Sequence, residues 1–148
     1  TAATLVKNVD NIVGIKEASG NISHVAKVMS LMNGEPIDLY SGNDDQIVPI
    51  MAMGGQGVIS VLSNVLPRET AALCSKMFNG DVAGAAKMQC DMLELINALF
   101  CEVNPIPAKA AMAAMGFCEN YLRLPLVPME EAHEAVLLDC MRNVGIKV

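Results

Sequence analysis

Asn11-Ile12-Val13-Gly14-Ile15-Lys16-Glu17 is an apolar run closed by a lysine and a glutamate. Asp10 precedes it and Ala18-Ser19-Gly20-Asn21 follows, so turn-forming residues bound it on both sides. An aliphatic run of this length between turn formers predicts a β-strand over Ile12–Ile15, with Lys16 closing it. Ile37-Asp38-Leu39-Tyr40, after Glu35-Pro36, repeats the pattern. So does Val58-Ile59-Ser60-Val61-Leu62, after Gly54-Gly55-Gln56-Gly57. Strands covered on both faces read as such runs, so the expected sheet is parallel.

Helical patterns fill the intervals. Asn21 or Ser23 can cap a segment that places Val25, Val28, Met29 and Met32 on one face. Asn43, Asp44 or Asp45 can start a second helix reaching about Met53, with Pro49 either in its first turn or at a kink. Pro67 suits the first turn of a third, with Leu73, Met77 and Phe78 expected inward. Strand and helix alternating in this way describe successive βα units with right-handed crossovers. Beyond residue 80 the strand signal stops. One long helix is expected from Asp81 to about Glu102, another from Ala108 to Met115 ending at Gly116, and a last from Pro128 to Asn143 ending at Gly145. The expected organisation is a βα region over 1–80 and a helical domain over 81–148. Apolar strands left with two open sheet edges make a poor end state. The last three βα units of a (β/α)8 TIM barrel, an α/β fold, with an appended C-terminal helical domain, fit the pattern.

Composition agrees with the interior of something larger. Of 148 residues, 53% are hydrophobic and only 18% charged, with a net charge of −6. Such a chain is too apolar to be disordered. Acidic and without a Lys/Arg cluster, it offers no groove for nucleic acid. No apolar run approaches the roughly 18–20 residues that span a bilayer, and no signal-peptide pattern opens the chain, so neither membrane partner nor export is expected. The five cysteines, Cys74, Cys90, Cys101, Cys118 and Cys140, are odd in number and form no CxxC pair. Reduced thiols in a cytoplasmic protein are the expectation. His24 and His133 stand at ligand spacing from neither a cysteine nor each other, so no metal site is expected.

Functional residues of βα barrels gather where strands end and βα loops begin. Lys16 stands at such a point. Among apolar neighbours its ammonium form is disfavoured, which supplies the neutral amine that imine formation needs. A lysine that only snorkels to water from a strand end has the same sequence position. Strand alternation sends Glu17 to the opposite face, as a structural partner beneath the helices. Gly42, after the second strand, allows close backbone approach to a ligand. Asn43–Asp45 read as a helix start rather than as acid–base groups. Gly54–Gly57 leads out of a helix into a strand, the wrong order for a phosphate cradle. Ser60, Ser63 and Asn64 can hydrogen-bond a small substrate or cap the next helix. No Ser/His/Asp arrangement is legible, because His24 and His133 both fall in helices. The eleven methionines sit mostly at helical core spacing, where they fill gaps.

The ordered set NIVGIKEASGN at 11–21, YSGNDD at 40–45 and GGQGVISVLSN at 54–64 resembles the dihydrodipicolinate synthases, with NPIPAK at 104–109 and LRLPL at 122–126 extending the match. These are pyruvate-dependent class I aldolases on a (β/α)8 barrel, and the resemblance covers their C-terminal half. It implies that Lys16 is the Schiff-base lysine that condenses with pyruvate, the resulting enamine attacking the aldehyde of aspartate semialdehyde in lysine and diaminopimelate biosynthesis. It implies too that Ile59 lines the pyruvate pocket with its backbone carbonyl and that Gly42 lies near the same pocket. No cofactor is implied, and the assembly implied is a homotetramer. The family's Thr-Thr pair, proton-relay tyrosines and substrate-binding arginine belong to motifs outside this chain, and Tyr40 and Tyr121 do not stand in them. The isolated chain is therefore expected to be inactive. Two other readings stay open: a sister pyruvate aldolase acting on sialic acid or a keto-sugar, and a truncated paralogue or assembly fragment that pairs with another chain.

Overall fold

In a computed structural model describing residues 1–148, the expected strands form a three-stranded parallel sheet, β1 (Gly14–Glu17), β2 (Asp38–Ser41) and β3 (Gly57–Val58), in that spatial order. Gly14 pairs with Asp38, Lys16 with Tyr40 and Glu17 with Ser41; Tyr40 in turn pairs with Gly57 and Ser41 with Val58. β1 begins later than the apolar run suggests. Ile12 and Val13 precede the ladder, although the Val13 carbonyl already accepts from Asp38 N at 3.0 Å. β3 is shorter than its run. Ile59 N still donates to Ser41 O at 2.8 Å, but Val61 takes a helical φ/ψ and Leu62–Asn64 coil into a 3-10 turn. The aliphatic composition there serves burial, Leu62 being fully enclosed, rather than strand pairing.

The helices are α1 (Ala2–Asn8), α2 (Ile22–Met32), α3 (Ile47–Ala52), α4 (Pro67–Phe78), α5 (Val82–Asp91), α6 (Leu93–Leu99), α7 (Ile106–Ala114) and α8 (Glu131–Asn143). Asn21 caps α2 with its side chain accepting from His24 N, and Val25, Val28 and Met32 are buried as the spacing requires. The second helix starts as a 3-10 turn over Asp44–Gln46 and continues as α3, with Pro49 in its first turn, where a missing N–H costs nothing. Asn43 precedes that turn without a side-chain capping bond, so the capping role expected of it is not seen.

Three expectations are corrected. Phe78 is 64% exposed, not inward. It lies five residues beyond the buried Leu73, about 140° further round the helix, whereas Met77 at four residues stays near the buried side. The long helix expected from Asp81 to Glu102 is two helices, bent at Met92 (φ −97, ψ −1), although Met92 N and Ile96 N keep the i→i−4 ladder across the bend. The last helix starts at Glu131 rather than Pro128, because Glu130 is extended (φ −62, ψ 134). The short α1 has no counterpart in the sequence reading.

The chain forms two compact units, one of residues 1–60 and 72–86, the other of 61–71 and 87–148. In the first, Leu39 of β2 is enclosed with Val25 of α2 and Ile50 of α3. A neighbouring cluster joins Ala3, Val28, Met32 and Ile37. Each fully buried aliphatic of this kind contributes about 1.5–3 kcal/mol. In the second unit α6, α7 and α8 pack together through Leu95, Leu99, Ala110, Ala111, Leu137 and Met141, all essentially inaccessible to water. All five cysteines are free thiols. No helix is long and apolar enough to cross a membrane.

Candidate active site

The parallel register fixes which side chains share a face. Leu39 and Ser41 are buried towards the helices, so the alternating positions Asp38 and Tyr40 project from the other face of β2. Lys16, paired with Tyr40, projects from that same face of β1. Glu17 goes to the helix side, as its place in the strand predicts: it is 5% exposed, accepts from Ser19 N at 2.7 Å, and lies 3.6 Å from His24 Nε2. Its carboxylate fixes the turn leaving β1 and does not reach the open face.

Lys16, Gly42 and Ile59 each stand at the C-terminal end of one of the three strands, and of these Lys16 and Gly42 are in contact. Gly42 N donates to Glu17 O at 2.7 Å, which draws the loop after β2 across the end of β1. A Cβ added at Gly42 would lie 3.1 Å from Lys16 Cε and 2.6 Å from Ala18 Cβ, so glycine here makes room for the lysine stem. Ile59 N bonds Ser41 O one residue past the last β2–β3 pair, which holds Ile59 at the strand end, 48% exposed. The loops are tied further by Gln46 Nε2 donating to Gly20 O at 3.0 Å and by Ser41 Oγ donating to Asn43 O at 2.7 Å.

The apolar enclosure expected around Lys16 is absent: its side chain is exposed. It borders a shallow depression of about 400 Å³ that also touches Ile12, Gly14, Ile15, Asp38 and Tyr40, along the edge of β1 that no strand covers. Tyr40 and Asp38 are residues that sequence reasoning passed over. Their shared face with Lys16 follows from register, which no single strand's sequence reveals.

Two of the other candidates serve the backbone. Asn64 Nδ2 donates back to Val61 O at 2.9 Å. Gly54–Gly57 joins α3 to β3, as its order requires, with Gln56 N bonded to Leu39 O. Cys74, the one thiol near β3, is pushed up from the ordinary thiol range by burial and by the carboxylate of Asp44, which disfavours a thiolate nucleophile.

An amine at a strand end, with a glycine of the neighbouring strand's loop against its stem, is an arrangement that can form an imine with a small carbonyl compound. Residues 1–143 match the sequence pattern described as the dihydrodipicolinate synthetase family. The chain belongs to that family. A 4-hydroxy-tetrahydrodipicolinate synthase of Lachnoclostridium phytofermentans is 53% identical over 146 residues, which are 99% of this chain and 49% of that protein. One of Alkaliphilus oremlandii is 51% identical over 99% of this chain and 50% of its own length. The crystal structure of dihydrodipicolinate synthase from Thermotoga maritima superposes with a TM-score of 0.95 at 40% identity, covering 99% of this chain and 50% of that one. The Acinetobacter baumannii synthase crystallised with pyruvate superposes with a TM-score of 0.92 at 34% identity, again over 99% and 50%. The chain spans about half the length of the curated relatives it matches. Its fold class is thus the one expected, an α/β chain forming the C-terminal part of a (β/α)8 barrel with a helical region after it.

Proposed function

We propose that this chain is the lysine-bearing half of a 4-hydroxy-tetrahydrodipicolinate synthase and that Lys16 is its Schiff-base nucleophile. The observation that carries the reading is the meeting of Lys16 with Gly42 at the C-terminal end of β1, the end where βα-barrel chemistry resides. The kinship of the whole chain with synthases of that name supports it. The neutral Lys16 amine attacks the keto carbon of pyruvate, and the carbinolamine loses water to give an imine. Loss of a methyl proton leaves an enamine. Its carbon attacks the aldehyde of aspartate semialdehyde, which takes up a proton as the new carbon–carbon bond forms. Attack of the semialdehyde's amine on the imine carbon closes the ring and frees Lys16. On this reading Gly42 and the Ile59 carbonyl line the pyruvate pocket.

The exposure of Lys16 implies that a further part of the barrel must cover it. We take residues 1–80 as barrel and 81–148 as helical domain, working in the cytoplasm within a homotetramer, and the 148-residue chain alone as inactive. The test is cyanoborohydride reduction in the presence of pyruvate, with the enzyme completed by its remaining barrel segment, followed by peptide mass mapping. The adduct is expected on Lys16 and absent from Lys16→Ala. An adduct on another lysine, or none, overturns the assignment. Turnover with aspartate semialdehyde against sialic acid separates the synthase from a sister aldolase.

A further inference from the structure

We infer that Glu102, Glu130 and His133 form a binding site for a divalent transition-metal ion of the zinc type, which clamps the loop after α6 to the start of α8. The site is independent of the lysine chemistry, and its residues all lie in the second unit.

Glu102 stands in the turn between α6 and α7, while Glu130 and His133 stand at the start of α8. The spacing of three residues puts Glu130 and His133 on one side of the first turn. Glu102 reaches them from 28 and 31 residues away: its Oε1 accepts from Glu130 N at 3.0 Å and lies 2.8 Å from His133 Nδ1. The Glu130 carboxylate closes the set, with Oε2 at 3.8 Å from the same Nδ1. One donor atom from each residue lies within 4.8 Å of the others.

Glu102 staples to His133 through a hydrogen bond, and Glu130 adds an i,i+3 contact with the same imidazole, so three donor atoms converge on one point. The Glu130 side chain makes no hydrogen bond, is 71% exposed, and still faces the imidazole nitrogen. Around an ion with metal–ligand distances near 2.1 Å, tetrahedral donors stand about 3.4 Å apart. The 2.8 Å separation must open, and the 3.8 Å separation must close, by about half an ångström each, within the reach of glutamate side chains. The Glu130 amide on Glu102 supplies the supporting hydrogen bond that orients a ligand carboxylate. A nitrogen donor selects against magnesium and calcium, which take oxygen. The ion takes the place of the proton that His133 Nδ1 donates to Glu102, releasing it to solvent, and the two carboxylates and the deprotonated nitrogen then match a dication, with solvent completing the shell. The positive end of α8 opposes a cation, but two full negative charges outweigh a half charge. Cysteine–histidine spacing in the sequence could not signal this site, because one of its carboxylates comes from a distant segment.

The test is calorimetric titration of the full chain with Zn2+ alone, its thiols blocked by alkylation. Saturable 1:1 binding is expected, weakened at least tenfold by Glu130→Gln. Because the Glu130 side chain makes no hydrogen bond and is 71% exposed, losing only its 3.8 Å pair with His133, the metal-free melting temperature of that variant should fall by no more than an exposed ion pair contributes. His133→Asn should weaken binding similarly, and Cys101→Ser should leave it unchanged in unblocked protein. No saturable binding, wild-type affinity in Glu130→Gln, or binding that disappears only with the thiols overturns the site.

Discussion

Gly42 lies against Lys16: a Cβ on the glycine would stand 3.1 Å from the lysine Cε. The two belong to different strands, and the contact exists because Gly42 N bonds the carbonyl of Glu17, the residue after the lysine. The loop after β2 is therefore pulled over the end of β1, and the lysine stem passes through the space a side chain would fill. Position and room for Lys16 come from one backbone hydrogen bond and one missing methyl group.

Gly42→Ala tests that relationship. The new methyl meets Ala18 Cβ at 2.6 Å and Glu17 O at 3.1 Å as well as the lysine. The lysine stem can bend, but the backbone carbonyl cannot, so the loop must shift. Overpacking of this kind costs about 1–3 kcal/mol. The expected result is a lower urea midpoint and, on the proposed chemistry, slower cyanoborohydride trapping of pyruvate at Lys16. An alanine variant with wild-type stability and trapping would refute the crowding argument.

Gly57→Ala probes the opposite case. A methyl at Gly57 has space, its nearest neighbours being Tyr40 Cε1 at 3.9 Å and Cys74 Sγ at 4.0 Å. The backbone, however, has φ +138, a region that side-chain-bearing residues scarcely enter. Such strain costs about 1–3 kcal/mol, and it loosens β3, which has only two ladder residues. Stability should fall in denaturant melts, and amide exchange should speed up at Ile59, whose N–H bonds Ser41 O. Unchanged exchange at Ile59 would show that β3 does not depend on this glycine.

Leu39→Ala measures the layer beneath the site. Leu39 is inaccessible to water and enclosed with Val25 and Ile50. A fully buried leucine truncated to alanine loses about 2–5 kcal/mol, the spread reflecting how far the cavity collapses. The midpoint of urea unfolding should drop with an unchanged slope. A loss under about 1 kcal/mol would mean that β2 is not packed as described.

How much of this was legible beforehand depends on the kind of contact involved. β1 and β2 are readable as short apolar runs between turn formers and α2 by its helical spacing, while its cap, open between Asn21 and Ser23 in the sequence, is Asn21 in the structure. The early end of β3 is not readable, since Val61 and Leu62 are as apolar in a 3-10 turn as in a strand. Phe78 misled because an apolar residue at a helix end carries no record of which way it faces. Lys16 and Gly42 were found by their place at strand ends, but not the contact between them, which depends on register. Glu102 and His133 are separated by 31 residues and met only when the chain was folded.

Asp81 offers a prediction in pH. It precedes α5, accepts from Gly84 N at 2.9 Å through Oδ1, and takes a hydrogen bond from Lys76 Nζ at 2.6 Å through Oδ2. The Lys76 hydrogen bond, then the Gly84 amide, hold its carboxyl below the ordinary aspartate range. A carboxyl with a depressed folded value binds its proton more readily in the unfolded chain. Its contribution is therefore complete above the unfolded value, about 4, and is lost as pH falls through the folded one. Following the side-chain carbon shift by NMR should place the Asp81 midpoint below the ordinary aspartate value of about 4. Lys76→Met should raise it, and Asp81→Asn should flatten this part of the acid limb of the stability curve while leaving stability above pH 5 less affected than Asp81→Ala does, because the asparagine oxygen still caps Gly84 N. A midpoint for Asp81 at the ordinary aspartate value of about 4 would remove the Lys76 bond from the account of how α4 turns into α5.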